Sequence, residues 1–347
     1  MSILGRAAAA TQDVAGGELL TLVILFAPAA VAIAVAYFAG AFRRRGVAGP
    51  PRVDDTESLG TLVVLLGMGV ILLIMAQALC LMPGVATAAT TAPTTKSAAQ
   101  SLLDDVPKMA LISSVPPMVA FVFLVAVSNV LRPGRLRGLG LSAAQFLPGV
   151  VAGLVGSLVM IPLVFTVSQV TELVWRAVHY THPAEHDLLR GLGESQNPWI
   201  AAVLILSAVL VAPLFEETLF RGHLQTLLTY MWVRLRRRPG RPVTAVAPAG
   251  DAPVGEGVAT SPPVVDYETV VPAAAAFQPQ PWMRWLSIVV TSALFASFHP
   301  AWSIPPIFFL AICLGYAYER TGNLWTTITM HALFNTTSTV LFLWLIR

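Results

Sequence analysis

Apolar runs of bilayer-spanning length recur along this chain, at 19–40, 59–82, 109–131, 147–170, 199–220 and 324–346. A helix needs about 17 to 25 residues to cross the hydrocarbon. Lipid offers no partner to an unpaired backbone amide, so runs of this kind fold as helices that satisfy their own hydrogen bonds. Two shorter runs, 286–298 and 304–318, flank the break Pro300-Ala301-Trp302-Ser303-Ile304-Pro305-Pro306. The predicted fold is therefore all-α, a polytopic membrane helix bundle of about eight transmembrane helices. The composition agrees: 56% of residues are hydrophobic and 11% charged, and the mean hydropathy is +0.74, values foreign to soluble domains.

The net charge of +3 records topology rather than a nucleic-acid surface. Arg43, Arg44, Arg45 and Arg52 follow the first run, Arg132, Arg135 and Arg137 the third, and Arg234, Arg236, Arg237, Arg238 and Arg241 the fifth. The loops at 83–108 and 171–198 are poor in basic residues and hold several acids. By the positive-inside rule the basic loops face the cytoplasm, which places both termini on the outer side. Lys96 and Lys108 are the only lysines among many arginines, a bias that points to a GC-rich bacterial genome and so to a bacterial plasma membrane.

Residues 1–18 lack the apolar core of a signal peptide, so the first run reads as an uncleaved anchor. Cys80 and Cys313 lie far apart in apolar runs, which argues against a disulfide framework and a cysteine metal site. No internal repeat is evident. Residues 1–198 form an N-terminal set of helices without a motif, and 199–347 carry the chemistry-bearing residues. Within the second part, 236–281 is rich in Pro, Ala, Val and Gly with little large apolar content, and is predicted to be a disordered cytoplasmic loop. The loop at 83–107 has a similar Thr/Ala/Pro character.

One apolar run contains Glu216-Glu217-Thr218-Leu219-Phe220-Arg221. A charge at the bilayer centre costs about 2.5 to 3.5 kcal/mol on insertion scales, so such a cluster is read as functional. Adjacent helical positions point about 100° apart, so the two glutamates serve different ends. Glu217 and Arg221 are spaced i, i+4 with the acid first, the favourable order for an ion pair. Pairing would leave Glu216 to face a cavity as a general base or acid. The competing reading is a structural charge network between helices. His331 and Asn335, also i, i+4, share a face; an Asn amide suits a developing oxyanion, and the bland alternative is a mutually satisfied buried pair. His299 sits near a helix end, where a lone histidine is more often interfacial. Segment 324–346 starts on the cytoplasmic side, which puts His331 and Glu216 at similar depth.

Zinc is a competing use of Glu216, His299 and His331, since Glu and His are acceptable ligands; the H-E-x-x-H pattern is absent, and a divalent metal stays open. His179, His182 and His186, beside Tyr180 and Glu185, read as an ordinary solvated loop, with metal binding the lesser alternative. No G-x-S-x-G elbow, phosphate-binding loop or dinucleotide fingerprint is present. Trp282, Trp285, Trp302, Trp325 and Trp344 read as packing or interfacial anchors.

Three short patterns occur in order: E-E-x-x-x-R at Glu216, Glu217 and Arg221, F-x-x-x-H at Phe295 and His299, and H-x-x-x-N at His331 and Asn335. Together they resemble the CPBP family, the CAAX-protease and bacteriocin-processing membrane endopeptidases also called Abi, over about 200–340. The resemblance implies an intramembrane endopeptidase acting on a peptide or membrane-protein substrate. Glu216 would activate water, His299 would help hold it, His331 and Asn335 would stabilise the oxyanion, and Glu217 with Arg221 would support the site. Family members are often labelled metalloproteases. The long loop between the first two patterns departs from the family. Two other classes compete: a non-catalytic scaffold or immunity protein of the same fold, and a proton-coupled secondary transporter using Glu216 and the histidines as a relay. Lipid and substrate are the implied partners, with no nucleic acid.

Overall fold

The computed structural model describes residues 26–34, 66–74, 98–131, 135–181, 191–193, 195, 197–236 and 279–345. The predicted loop at 236–281 and the residues Cys80, His182 and His186 lie almost entirely outside this set. Among the described residues all regular structure is helical and no strand occurs. The helices are α1 (26–34), α2 (66–74), α3 (Ala98–Leu131), α4 (Arg135–Leu139), α5 (Ala143–Ala177), α6 (Pro198–Arg236), α7 (Pro281–Ser297), α8 (Ile304–Thr321) and α9 (Leu324–Leu345).

Four stretches are long and apolar enough to cross a membrane: Val106–Leu131, Leu136–Ala177, Pro198–Leu235 and Ala301–Thr321. Eight were expected. Of the runs 19–40 and 59–82 only nine-residue pieces are described, and α7 is a helix of 17 residues. Helix α9 forms over the predicted run, but its many Thr and Ser residues lower its apolarity. Their hydroxyls donate to carbonyls one turn back, as from Thr336 to Ala332 and Thr339 to Asn335, at 2.7 Å each. A second difference concerns 83–107. Helix α3 begins at Ala98 and runs through Pro107, because Val106 and Ala110 are buried against Leu192 and Leu204.

Helix α6 starts conventionally: Asn197 Oδ1 accepts the Trp199 amide at 2.9 Å, and Pro198 occupies the first helical position, where its missing N–H costs nothing. Three helices end in left-handed residues that close the last turn. After α4, Gly140 has φ +81, its amide bonds Arg137 O and the Leu141 amide bonds Leu136 O. After α8, Gly322 has φ +61 and bonds Tyr318 O at 2.8 Å. After α5 the same role falls to His179, with φ 56 and the Tyr180 amide on Trp175 O. After α4 and α5 these are the paired bonds of the Schellman motif, and after α8 the single bond of the αL cap; His179 thus has a backbone role at the end of α5.

Helix α9 packs chiefly along α5, and α7 along α8. Small residues on α5 permit the first contact: a Cβ at Gly153 would stand 2.6 Å from Thr329 Cβ. Asn323 ties the junction, its Oδ1 accepting the Trp325 amide and its Nδ2 donating to Gln145 O at 2.8 Å. Around α6 a core forms from Ala120 and Leu124 of α3, Phe215, Leu219 and Phe220 of α6, Phe295 of α7 and Ala311 of α8. That core surrounds the charged cluster.

Candidate active site

Helix α6 is not regular through the charged cluster. Two wide, π-helical turns, Ser207–Val211 and Thr218–Gln225, bracket the six α-helical residues Ala212–Glu217. Such turns are rare and concentrate at functional sites. The first has a cause in the sequence. In it the Ala212 amide bonds Ser207 O, five residues back. The next carbonyl in that pattern, Ala208 O, would require the amide of Pro213, which has no hydrogen. Asn335 of α9 fills the place, its Nδ2 donating to Ala208 O at 2.7 Å.

In the second wide turn Thr218 O accepts from His223 Nδ1 at 2.8 Å. A carbonyl only accepts, so Nδ1 carries the hydrogen and Nε2 accepts the Ser128 hydroxyl at 3.0 Å. Both side chains are buried. This bond ties α3 to the wide turn. Neither residue stood out in sequence, since a serine 95 positions away gives no local signal.

Glu217 is fully buried and Arg221 nearly so, and Arg221 Nη1 lies 3.2 Å from Glu217 Oε1. The guanidinium also donates from Nη2 to Ala311 O at 3.2 Å and lies over the Phe295 ring, 4.7 Å from its centroid. His331 joins the same carboxylate, with Nδ1 3.0 Å from Glu217 Oε1. The carboxylate accepts, so Nδ1–H donates and Nε2 is left as the acceptor nitrogen. That nitrogen faces Glu216 Oε2 at 3.8 Å, too far for a direct hydrogen bond. Glu216 keeps about a quarter of its side chain exposed, 25%.

His299 is half-buried at the end of α7, and its Nδ1 donates to Phe295 O at 3.0 Å. Its ring lies 5.0 Å from the Phe295 ring, and the His331 ring lies 5.9 Å from the same phenyl. Glu216, Glu217, Arg221 and His331 thus form one cluster, Asn335 lies one turn beyond His331 and is bonded to α6 at Ala208, and His299 is linked to the cluster through Phe295.

A metal would have to be held by this donor set. Among the described residues no group of three or more His, Cys, Asp or Glu side chains is arranged to hold a metal ion. Glu217 is engaged by a guanidinium and an imidazole N–H, and His331 presents one nitrogen toward one carboxylate. Between them Glu216 and His331 offer two donors, fewer than the three protein ligands of a catalytic zinc site.

Residues 197–337 match the family model described as type II CAAX prenyl endopeptidase Rce1-like. No curated protein and no solved structure matches the chain. The match begins at the N-cap of α6, ends just after Asn335 and includes every element that carries the cluster, and with the four apolar helices it marks an integral membrane protein. Over residues 197–337, less than half of the chain, the sequence is therefore similar to the Rce1-like type II CAAX prenyl endopeptidases, a likeness consistent with the CPBP family.

Proposed function

We propose that this protein hydrolyses peptide bonds inside the membrane with a water molecule activated by Glu216, without a metal. The observation that carries the reading is the 3.8 Å gap between Glu216 Oε2 and His331 Nε2, with the opposite imidazole nitrogen fixed by Glu217. Contacts of this length are ones that a water bridges. In this reading the water donates one hydrogen to Glu216 and the other to His331 Nε2. Glu216 takes its proton as the oxygen attacks the carbonyl carbon, and then returns it to the leaving amide nitrogen as the C–N bond breaks. Asn335 uses one amide hydrogen on Ala208 O, and its second is directed at the oxyanion. His299 reaches this site through Phe295, whose ring also meets His331.

Arg221 compensates Glu217, so that of the two neighbouring carboxylates only Glu216 acts as base. The family description makes a prenylated CAAX peptide the first substrate to test, with other peptides and membrane proteins as alternatives. The site is proposed to open toward the cytoplasmic face of a bacterial plasma membrane, following the arginine-rich loops.

The test is cleavage of quenched peptides, one of them prenylated at a C-terminal CAAX sequence, by purified wild type and Glu216→Gln, each with and without a strong chelator. Cleavage by wild type that survives chelation and is abolished in Glu216→Gln is the expected result. Turnover retained in Glu216→Gln overturns the assignment of the base. Loss on chelation with recovery on adding zinc overturns the metal-free mechanism.

A further inference from the structure

Two side chains of α6 reach α8 in the same way, one turn apart. Arg221 Nη2 donates to Ala311 O and Gln225 Nε2 to Gly315 O, each at 3.2 Å. Both carbonyls lie inside a helix and accept through a second lone pair. The second rung continues: Gln225 Nε2 also donates to Glu319 Oε1 at 2.8 Å, and Glu319 Oε2 accepts from Arg284 Nη1 of α7 at 2.8 Å. Gln225, Glu319 and Arg284 are all buried, at 0%, 2% and 5% exposure. Gly315 is what lets Gln225 approach, since a Cβ there would stand 3.0 Å from Gln225 Oε1 and 3.1 Å from Ile288 Cγ2.

A buried ion pair is weak support for stability, because desolvation offsets its attraction; what it does supply is orientation. Orientation is what the wide turn Thr218–Gln225 needs. Residues Thr218–Gln225 depart from regular α-helical bonding, so contacts from neighbouring helices help set the direction in which their side chains leave the α6 axis. Both hydrogens of the Gln225 amide are used, one on the α8 backbone and one on a carboxylate that Arg284 holds in place. That fixes the amide plane, and with it the face of α6 on which Arg221 lies.

We propose that Gln225, Glu319 and Arg284 are positioning residues that set the rotation of the wide turn and thereby aim Arg221 at Glu217. The clamp acts on the reaction only through Glu217 and His331, and in that respect it rests on the proposed peptidase activity. Gln225 is the member to change, since Gln225→Met removes both donors, keeps the length of the side chain and leaves the Arg284–Glu319 pair intact.

The experiment combines cleavage kinetics with hydrogen exchange on full-length wild type, Gln225→Met and Gly315→Ala in detergent micelles. Misplacement of a supporting group costs about ten- to a hundredfold, so kcat is expected to fall by about that factor with KM within about twofold. Amide exchange is expected to rise in 218–225 in both variants and, for Gln225→Met, to stay unchanged in 281–297. A kcat within about twofold of wild type in both variants overturns the proposal, as does exchange raised throughout the domain, which would mark a merely structural role. If wild type cleaves no peptide, the peptidase reading fails by itself and the exchange pattern decides the clamp: local loosening supports it, and no change in 218–225 overturns it.

Discussion

Glu217 and His331 meet through a single 3.0 Å contact, Nδ1 to Oε1, and the same oxygen lies 3.2 Å from Arg221 Nη1. One buried carboxylate oxygen therefore fixes an imidazole from α9 and compensates a guanidinium from its own helix. Neighbouring glutamates consequently differ in what their loss would do. Glu217→Gln strands the Arg221 charge in the interior, an uncompensated burial that costs about 3–5 kcal/mol. Glu216, partly exposed, is expected to tolerate the same change within about 1 kcal/mol. Denaturant unfolding in micelles set beside peptide cleavage checks this: Glu216→Gln should be folded and inactive, Glu217→Gln inactive and destabilised.

The Asn335–Ala208 bond makes a prediction that couples distant positions. Asn335→Ala leaves a buried carbonyl unpaired and is expected to cost about 1–3 kcal/mol. Pro213→Ala restores the amide that Ala208 O lacks within its own helix. In a double-mutant cycle Asn335→Ala should therefore cost less on the Pro213→Ala background, with a coupling of about 1 kcal/mol. Additive costs would show that Asn335 does not substitute for the missing amide.

Arg221→Lys keeps the charge and discards the geometry. A lysine ammonium cannot span Glu217 and Ala311 O while lying flat on Phe295. Loss of one hydrogen bond to a charged donor is expected to cost about 1.5–3 kcal/mol, and kcat should fall more than KM rises. Equal activity of the lysine variant would mean that charge compensation is all Arg221 supplies.

Gly140 closes α4 in the left-handed region, φ +81, where any side chain carries a backbone penalty of about 1 kcal/mol. A Cβ on Gly140 would also lie 2.7 Å from the Leu324 amide nitrogen, a backbone overlap that no rotamer relieves. Gly140→Ala is expected to destabilise the fold by well over the backbone penalty of about 1 kcal/mol, read by thermal unfolding in micelles; a loss no larger than that would show that the overlap relaxes.

Much of the charged cluster was legible in the sequence because its spacing is local. Glu217 to Arg221 and His331 to Asn335 are i, i+4 pairs, and helical geometry by itself puts each on one face. The wide turns were not legible, since the apolar pattern of α6 continues through them; Pro213 is the signal that marks the first. Asn335 was read as facing the site, and its bond to Ala208 depends on that unpaired carbonyl. Ser128, His223, Gln225, Arg284 and Glu319 were missed because their partners are far apart in sequence, although Arg284 and Glu319 were visible as charges in or beside apolar runs. The start of α3 was read too late because the Thr/Ala/Pro run at 83–107 resembles a loop, while burial of Val106 and Ala110 against Leu204 extends the helix.

The carbonyl of Ala208 also sets an order of assembly. Its partner is 127 residues further along the chain, and lipid supplies no substitute donor. While the nascent polypeptide is being inserted, α6 carries a frustrated peptide group until the ribosome has delivered the last described helix. The two glutamates thus enter the bilayer well before the helix that bears His331 and Asn335, and the site completes itself at the same step that relieves the strain. Before that helix arrives, Glu217 lacks His331 and Ala208 O lacks Asn335.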